Sequence, residues 1–300
     1  MRLFDPEPEA APTGPLRRVM LLVAYDGRQF HGFAAQPGQH TVGGALGSLL
    51  SAMTGEEVAI VCAGRTDAGV HATGQVAHAD LEPAFVERLL GAGTPATPGR
   101  KMATLAPSLS SQLGRAASVL EVRVAPDGFH ARHSALTRRY RYDIVQSAWC
   151  DPLEAATAWH VAKELDLSAM RAAADMLVGE HDFSAFCRRI PGTTGPVTRR
   201  VLAATVSPVD ARSRTLRFEI EANAFCHRMV RSLVGTLVAI GEGRLVASEM
   251  LAILKSADRA RCGRTAPPDG LVLTSVGYPP ELVPGGHWLP GSVWPCDDST

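Results

Sequence analysis

Ala63-Gly64-Arg65-Thr66-Asp67-Ala68-Gly69-Val70-His71-Ala72-Thr73-Gly74-Gln75-Val76-Ala77 is the stretch on which the reading of this chain turns. It holds one carboxylate, Asp67, directly after Arg65 and Thr66 and between glycines at 64, 69 and 74. The apolar run at residues 58–62 leads in and residues 75–79 lead out. Both are predicted strands by their β-branched content and their boundaries. The stretch therefore predicts strand, glycine-rich loop with an acid at its tip, strand. Glycine opens backbone angles closed to other residues and lets another molecule approach closely. Such a loop can hold a charge on a fixed backbone beside a bulky substrate.

The 300 residues around it are enough to bury a large core, as one large domain or two ordinary ones. A hydrophobic content of 46% with 20% charged residues is that of a soluble globular chain. No apolar run reaches the roughly 18 residues of a membrane span. The N-terminus is acidic and proline-rich and lacks the basic flank and apolar stretch of a signal peptide, so a cytoplasmic protein is expected. Cys62, Cys150, Cys187, Cys226, Cys262 and Cys296 form no CxxC, which predicts reduced, mostly buried thiols, no disulfide framework and no zinc site. A net charge of zero argues against indiscriminate coating of nucleic acid. Basic charge is nevertheless local. Residues 123–142 hold five arginines against one aspartate, and residues 181–244 hold ten arginines against five acids. That suits a phosphate-bearing partner of limited footprint.

Residues 1–17 read as a disordered tail. An N-terminal half, 18–134, carries the Asp67 loop. It is predicted to hold a strand at 19–25, a helix capped by Thr41, the two strands flanking Asp67, a helix at 83–90, a loop or insertion at 91–100 and a strand at 119–124. A C-terminal half, 135–280, reads as a strand at 140–145, an amphipathic helix at 166–178 and strands at 197–206 and 215–222. Helices at 225–240 and 246–254 follow, the second capped by Ser248, and then a strand at 271–276. Residues 281–300 read as an irregular tail. Strands and helices mix without regular βαβα alternation, so the expected class is α+β, two similar-sized sheets with helices on one face.

Two further blocks carry chemistry. Asp127-Gly128-Phe129-His130-Ala131-Arg132-His133-Ser134-Ala135 is followed by Thr137-Arg138-Arg139-Tyr140-Arg141-Tyr142. Aromatic rings among arginines suit RNA, with guanidinium groups on phosphate and a ring stacked on an unstacked base. In a strand, Tyr140 and Tyr142 share one face and Arg139 and Arg141 the other. A core tyrosine pair with solvated arginines is the competing reading. The other block, Glu221-Ala222-Asn223-Ala224-Phe225-Cys226-His227-Arg228-Met229-Val230-Arg231, lies where a strand passes into a helix, whose free N–H groups could bind an anion. A partly buried Arg231 needs a carboxylate, and Asp67 is the candidate. Taken alone, Asp67 could be a turn former, and Arg65 could hold it ionised or bind phosphate nearby.

These blocks, in this order, resemble the tRNA pseudouridine synthase A family, from about residue 18 to residue 278. The blocks Tyr25-Asp26-Gly27 with Gly32 and Gly270-Leu271-Val272-Leu273 also fit. The resemblance implies a pseudouridine synthase fold, two similar α/β sheet-containing halves with a central cleft, working as a homodimer. It implies isomerisation of uridine to pseudouridine at positions 38 to 40 of the tRNA anticodon stem-loop, with base flipping and with no metal or cofactor. Asp67 matches the catalytic aspartate, Arg231 the basic residue that pairs with it, and Arg65 the arginine implicated in flipping the base. Tyr140 matches the tyrosine that stacks on the target uracil, and Leu273 is carried over as a substrate-binding position. Arg132, Arg138, Arg139, Arg141 and Arg228 are the expected RNA contacts. Two stretches depart from the pattern. Phe30-His31-Gly32-Phe33-Ala34-Ala35-Gln36 stands where the family is richer in Tyr and Trp. The segment 90–119 is longer than usual and has Ser110-Ser111-Gln112-Leu113 in place of an asparagine-containing stretch.

Two rival readings use the same residues. A non-catalytic tRNA-binding module keeps Tyr140 and the arginines but has no need of Asp67. A metal-dependent hydrolase would gather Asp67, His71 and His78, two of them on or beside a glycine loop that offers no rigid helix for ligands.

Overall fold

The computed structural model describes residues 16–91, 100–188, 195–211 and 213–289. The apolar run from Val19 to Val23 forms the middle of β1 (Arg17–Tyr25) and is buried on both faces. β1 therefore lies inside a sheet, between β3 (His71–Leu81) and β4 (Ala117–Val124), antiparallel to both. β2 is only Val61–Cys62, beside His78 and Ala77 of β3, so the strand expected over 58–62 shrinks to its last two residues. Thr41 caps α1 (Val42–Thr54) as expected, its Oγ1 accepting the Gly44 N–H at 3.1 Å. Helices α2 (Pro83–Leu90) and α3 (Arg100–Leu113) follow. α3 falls within the segment read as unusually long. Ser110 stitches it to β4 by accepting the Val119 N–H at 2.9 Å and donating to the Val119 carbonyl at 3.0 Å.

The second half contains β5 (Thr137–Gln146), β6 (Trp159–Val161), α4 (Leu167–Asp175), β7 (Gly179–Asp182), β8 (Thr198–Pro208) and β9 (Thr215–Ala222). After these come α5 (Met229–Gly241), α6 (Glu249–Ser256) and β10 (Leu271–Gly277). The α+β class stands, but the two expected sheets are one. The strand order is β4-β1-β3-β10-β5-β9-β8-β7, with β2 attached to β3 and β6 to β5. β10 is the joint. It runs parallel to β3 through Val272 opposite His71 and Leu273 opposite Ala72, and antiparallel to β5 with Leu273 opposite Tyr140. The Asp67 loop and Tyr140 thus lie on either side of one strand.

Other expectations need correction. The helix read from 225 begins at Met229, because Arg228 has a φ of 64° and 225–228 form a corner instead. Ser248 makes no capping bond; the Glu249 carboxylate accepts the Val246 N–H at 2.8 Å and closes that end. The tail read from 281 is packed as far as it is described. Val283 and Trp288 are fully buried, and the Trp288 indole donates to Glu121 at 2.6 Å. Cys187 and Cys226 form a disulfide, with Cα atoms 5.7 Å apart, against the expectation of reduced thiols throughout. The tail at 1–15 and most of the loop at 91–100 fall outside the described residues.

Candidate active site

The Asp67 loop is fixed by hydrogen bonds along its length. The Ala63 N–H donates to Val76 at 2.8 Å, and the Gln75 amide donates to the Gly64 carbonyl at 2.7 Å. The Thr66 hydroxyl meets the Tyr25 hydroxyl at 2.8 Å, and the Thr66 carbonyl accepts the Phe33 N–H at 3.2 Å. Phe30 and Phe33, in the first departing stretch, pack their rings on Tyr25 beneath this loop. Gly69 turns the chain back at φ 81°, and a side chain there would strike Pro268. These bonds tie the loop to its neighbours, and its carboxylate is 28% exposed.

Two groups from the far side of β10 meet that carboxylate. Arg231 Nη1 donates to Asp67 Oδ2 at 3.3 Å, and His227 Nε2 lies 3.4 Å from Oδ1. Arg231 is the one residue of α5 that is not buried. Its Nε donates to the Ala266 carbonyl at 2.7 Å while its own carbonyl accepts the Ala266 N–H at 3.0 Å. The guanidinium is therefore held before it reaches Asp67. His227 is held through its backbone. Its carbonyl accepts the Arg188 N–H at 3.0 Å, Cys226 before it is bonded to Cys187, and Arg228 after it takes the left-handed conformation. Tyr140 lies below, buried, with its ring edge-on to Phe225 at 5.1 Å. Burial pushes its hydroxyl well above the ordinary phenol range, so it stays protonated. A methyl group at Gly64 would come within 3.6 Å of that hydroxyl, which places Tyr140 at the base of the Asp67 loop.

The pairing of Asp67 with Arg231 expected from the sequence is present. Arg65 is exposed and forms no ion pair with Asp67. Arg139 is exposed and reaches Glu219 at 3.4 Å. Arg132, Arg141 and Arg228 are half-buried. Arg138 is corrected. It lies on the same buried strand face as Tyr140 and Tyr142, and its guanidinium is fully engaged with backbone carbonyls, which leaves nothing for phosphate. Leu273 is corrected too. It has no exposed surface and packs in the sheet between Ala72 and Tyr140, so it supports the tyrosine without offering a face to a ligand. The trio Asp67, His71 and His78 is not brought together. His71 accepts the Gly27 N–H and faces Asp26 at 3.3 Å, while His78 accepts the Ala131 N–H at 3.1 Å. His227 is the residue sequence reading missed. Its signal was a histidine four positions before Arg231, inside a block already chosen for its basic end.

With this geometry in place, likeness to known proteins becomes informative. A family model described as tRNA pseudouridine synthase matches residues 173–279. The tRNA pseudouridine synthase A of Caulobacter vibrioides (strain NA1000 / CB15N) is 42% identical over 262 residues, covering 87% of this chain and 98% of that one. The protein of the same name from Frankia casuarinae is 42% identical over 271 residues, covering 90% and 92%. That from Chloroflexus aurantiacus (strain ATCC 29366 / DSM 635 / J-10-fl) is 40% identical over 268 residues, covering 89% and 91%. Identity at this level runs over nearly the whole of both chains. This chain belongs to the tRNA pseudouridine synthase A family.

Proposed function

We propose that this protein isomerises uridine to pseudouridine in tRNA, at positions 38 to 40 of the anticodon stem-loop, with Asp67 as the essential carboxylate. The observation that carries the reading is the meeting of Asp67, from one side of β10, with Arg231 and His227 from the other, above the buried ring of Tyr140.

The chemistry fits these groups. The N1–C1′ bond breaks and a C5–C1′ bond forms; in net terms the C5 proton is lost and N1 gains one. A ribosyl centre that loses its base becomes electron-poor, and a nearby carboxylate can add to it or stabilise it. Abstraction of a sugar proton by the same carboxylate is the other route. Both use Asp67 as a carboxylate, and the Arg231 guanidinium in contact orients it. The detached uracil must turn and rejoin before water reaches the ribose. A ring at the base of the site gives it a surface to stack on. The target base has to leave its stack, at a cost of about a few kcal/mol. In this reading Arg65, exposed on the same loop, takes its position. The exposed or half-exposed arginines 132, 139, 141 and 228 suit the phosphates on either side. In this reading the enzyme works as a homodimer and needs no metal or cofactor.

Mapping pseudouridine in tRNA from cells with and without the protein tests this. Loss confined to positions 38 to 40 supports it. Loss at other positions, with 38 to 40 intact, overturns the assignment of the site.

A further inference from the structure

Arg138 carries a positive charge, is 9% exposed and has no carboxylate paired with it among the described residues. A buried cation of this kind persists only if its donors are met. All five are. Nε and one Nη2 hydrogen go to the Ala63 carbonyl at 3.3 and 2.9 Å, and the other Nη2 hydrogen goes to Arg132 at 2.9 Å. Nη1 donates to Ala135 at 3.0 Å and to Asn223 at 2.9 Å. A guanidinium has five donors in one rigid plane, so this set fixes its acceptors relative to one another.

The acceptors come from three segments. Ala63 begins the loop that ends in Asp67. Arg132 and Ala135 belong to the turn that leads into β5. Asn223 directly follows β9 and opens the corner that delivers Phe225, His227 and Arg231. The two sides of the Asp67 ion pair are thus both referenced to one planar group. We infer that Arg138 is a positioning residue for catalysis, setting the distance between the Asp67 loop and the His227–Arg231 corner, and that it makes no contact with RNA phosphate. The inference rests on the reading of Asp67 as the essential carboxylate.

The test uses the full chain with Arg138→Lys and Arg138→Met, measuring the single-turnover rate of pseudouridine formation and the Kd for tRNA. Lysine keeps the charge but has one nitrogen and cannot span four carbonyls. An error of about 1 Å in a reacting geometry costs about a hundredfold in rate. The expected result is a loss of about that size in both variants with tRNA Kd unchanged. A normal rate with weakened Kd, a normal rate and Kd, or full rescue by lysine would each overturn it. A second measurement needs no variant: phenylglyoxal modification of the wild-type protein, read by mass spectrometry with and without tRNA. Arg138 should stay unmodified in both states while Arg139 reacts in the free protein; labelling of Arg138 that tRNA suppresses overturns the inference. Asp67→Asn separates the two claims. If it retains turnover, the reading of Asp67 fails; if it is inactive while Arg138→Lys is normal, only the role of Arg138 fails.

Discussion

Replacing Gly74 by alanine should loosen the joint between the two halves of the sheet. Gly74 lies in β3 with an ordinary φ, so its backbone angles alone would accept a side chain. The space would not. A Cβ there would sit 2.1 Å from the Thr274 carbonyl oxygen, 2.9 Å from its carbon and 3.3 Å from Ser275 Cα. Ordinary contact begins near 3.4 Å, so β10 would have to withdraw by roughly an ångström. All three obstructing atoms are backbone, and no rotamer change relieves them. Overpacking of this kind costs about 1–3 kcal/mol, and the upper end applies where only a strand shift can relieve it. For a chain of 300 residues the upper end corresponds to a fall in Tm of about 5 °C. Gly64→Ala is the control. Its new methyl group meets only the Tyr140 hydroxyl at 3.6 Å and should change Tm little. Differential scanning calorimetry of both variants decides. A Gly74→Ala protein that melts with the wild type, or a Gly64→Ala protein that falls as far, would refute the steric account of the joint.

Tyr140→Phe should remain partly active, because stacking uses the ring; a dead variant with normal tRNA affinity would show that the hydroxyl has a chemical task. His227→Ala removes one of two contacts on the Asp67 carboxylate, and the expected loss is about tenfold in single-turnover rate, the effect of about 1.4 kcal/mol in the barrier. Because the pair is half-exposed, Tm should hold; an unchanged rate would exclude His227 from the site. Burial holds His78 down at about 3 and His130 at about 4, below the ordinary 6.5, so both are neutral when folded and gain a proton on unfolding in acid. Their contribution to stability is complete above about pH 6.5, is lost as pH falls and levels off below those values. His78→Gln should therefore show a shallower decline of Tm between pH 6.5 and 4 than the wild type, and identical slopes would contradict this.

Local signals were legible where one or two residues decide the outcome. Thr41 marks a helix start because its hydroxyl can reach an N–H three residues on, and β1 follows from its unbroken apolar run. Long-range geometry was not. The single sheet depends on β10 returning to pair with β3, and nothing in residues 271–277 says which edge they will join. The disulfide links cysteines 39 positions apart, with β8 and β9 lying between them in the chain, so their meeting depends on how those strands pair. Arg138 was misread although its signal was present. Strand alternation places it with Tyr140 and Tyr142 on the buried face, and composition alone suggested phosphate. The start of α5 was misplaced because the apolar spacing runs back through the corner, while the left-handed Arg228 breaks the helix.

The most direct test of the account is Asp67→Asn, which keeps the shape of the side chain and removes its charge. With tRNA in excess of its Kd, the account predicts no pseudouridine in a single-turnover assay, with tRNA binding and Tm close to those of the wild type. Formation of pseudouridine at an ordinary rate by that variant would contradict it.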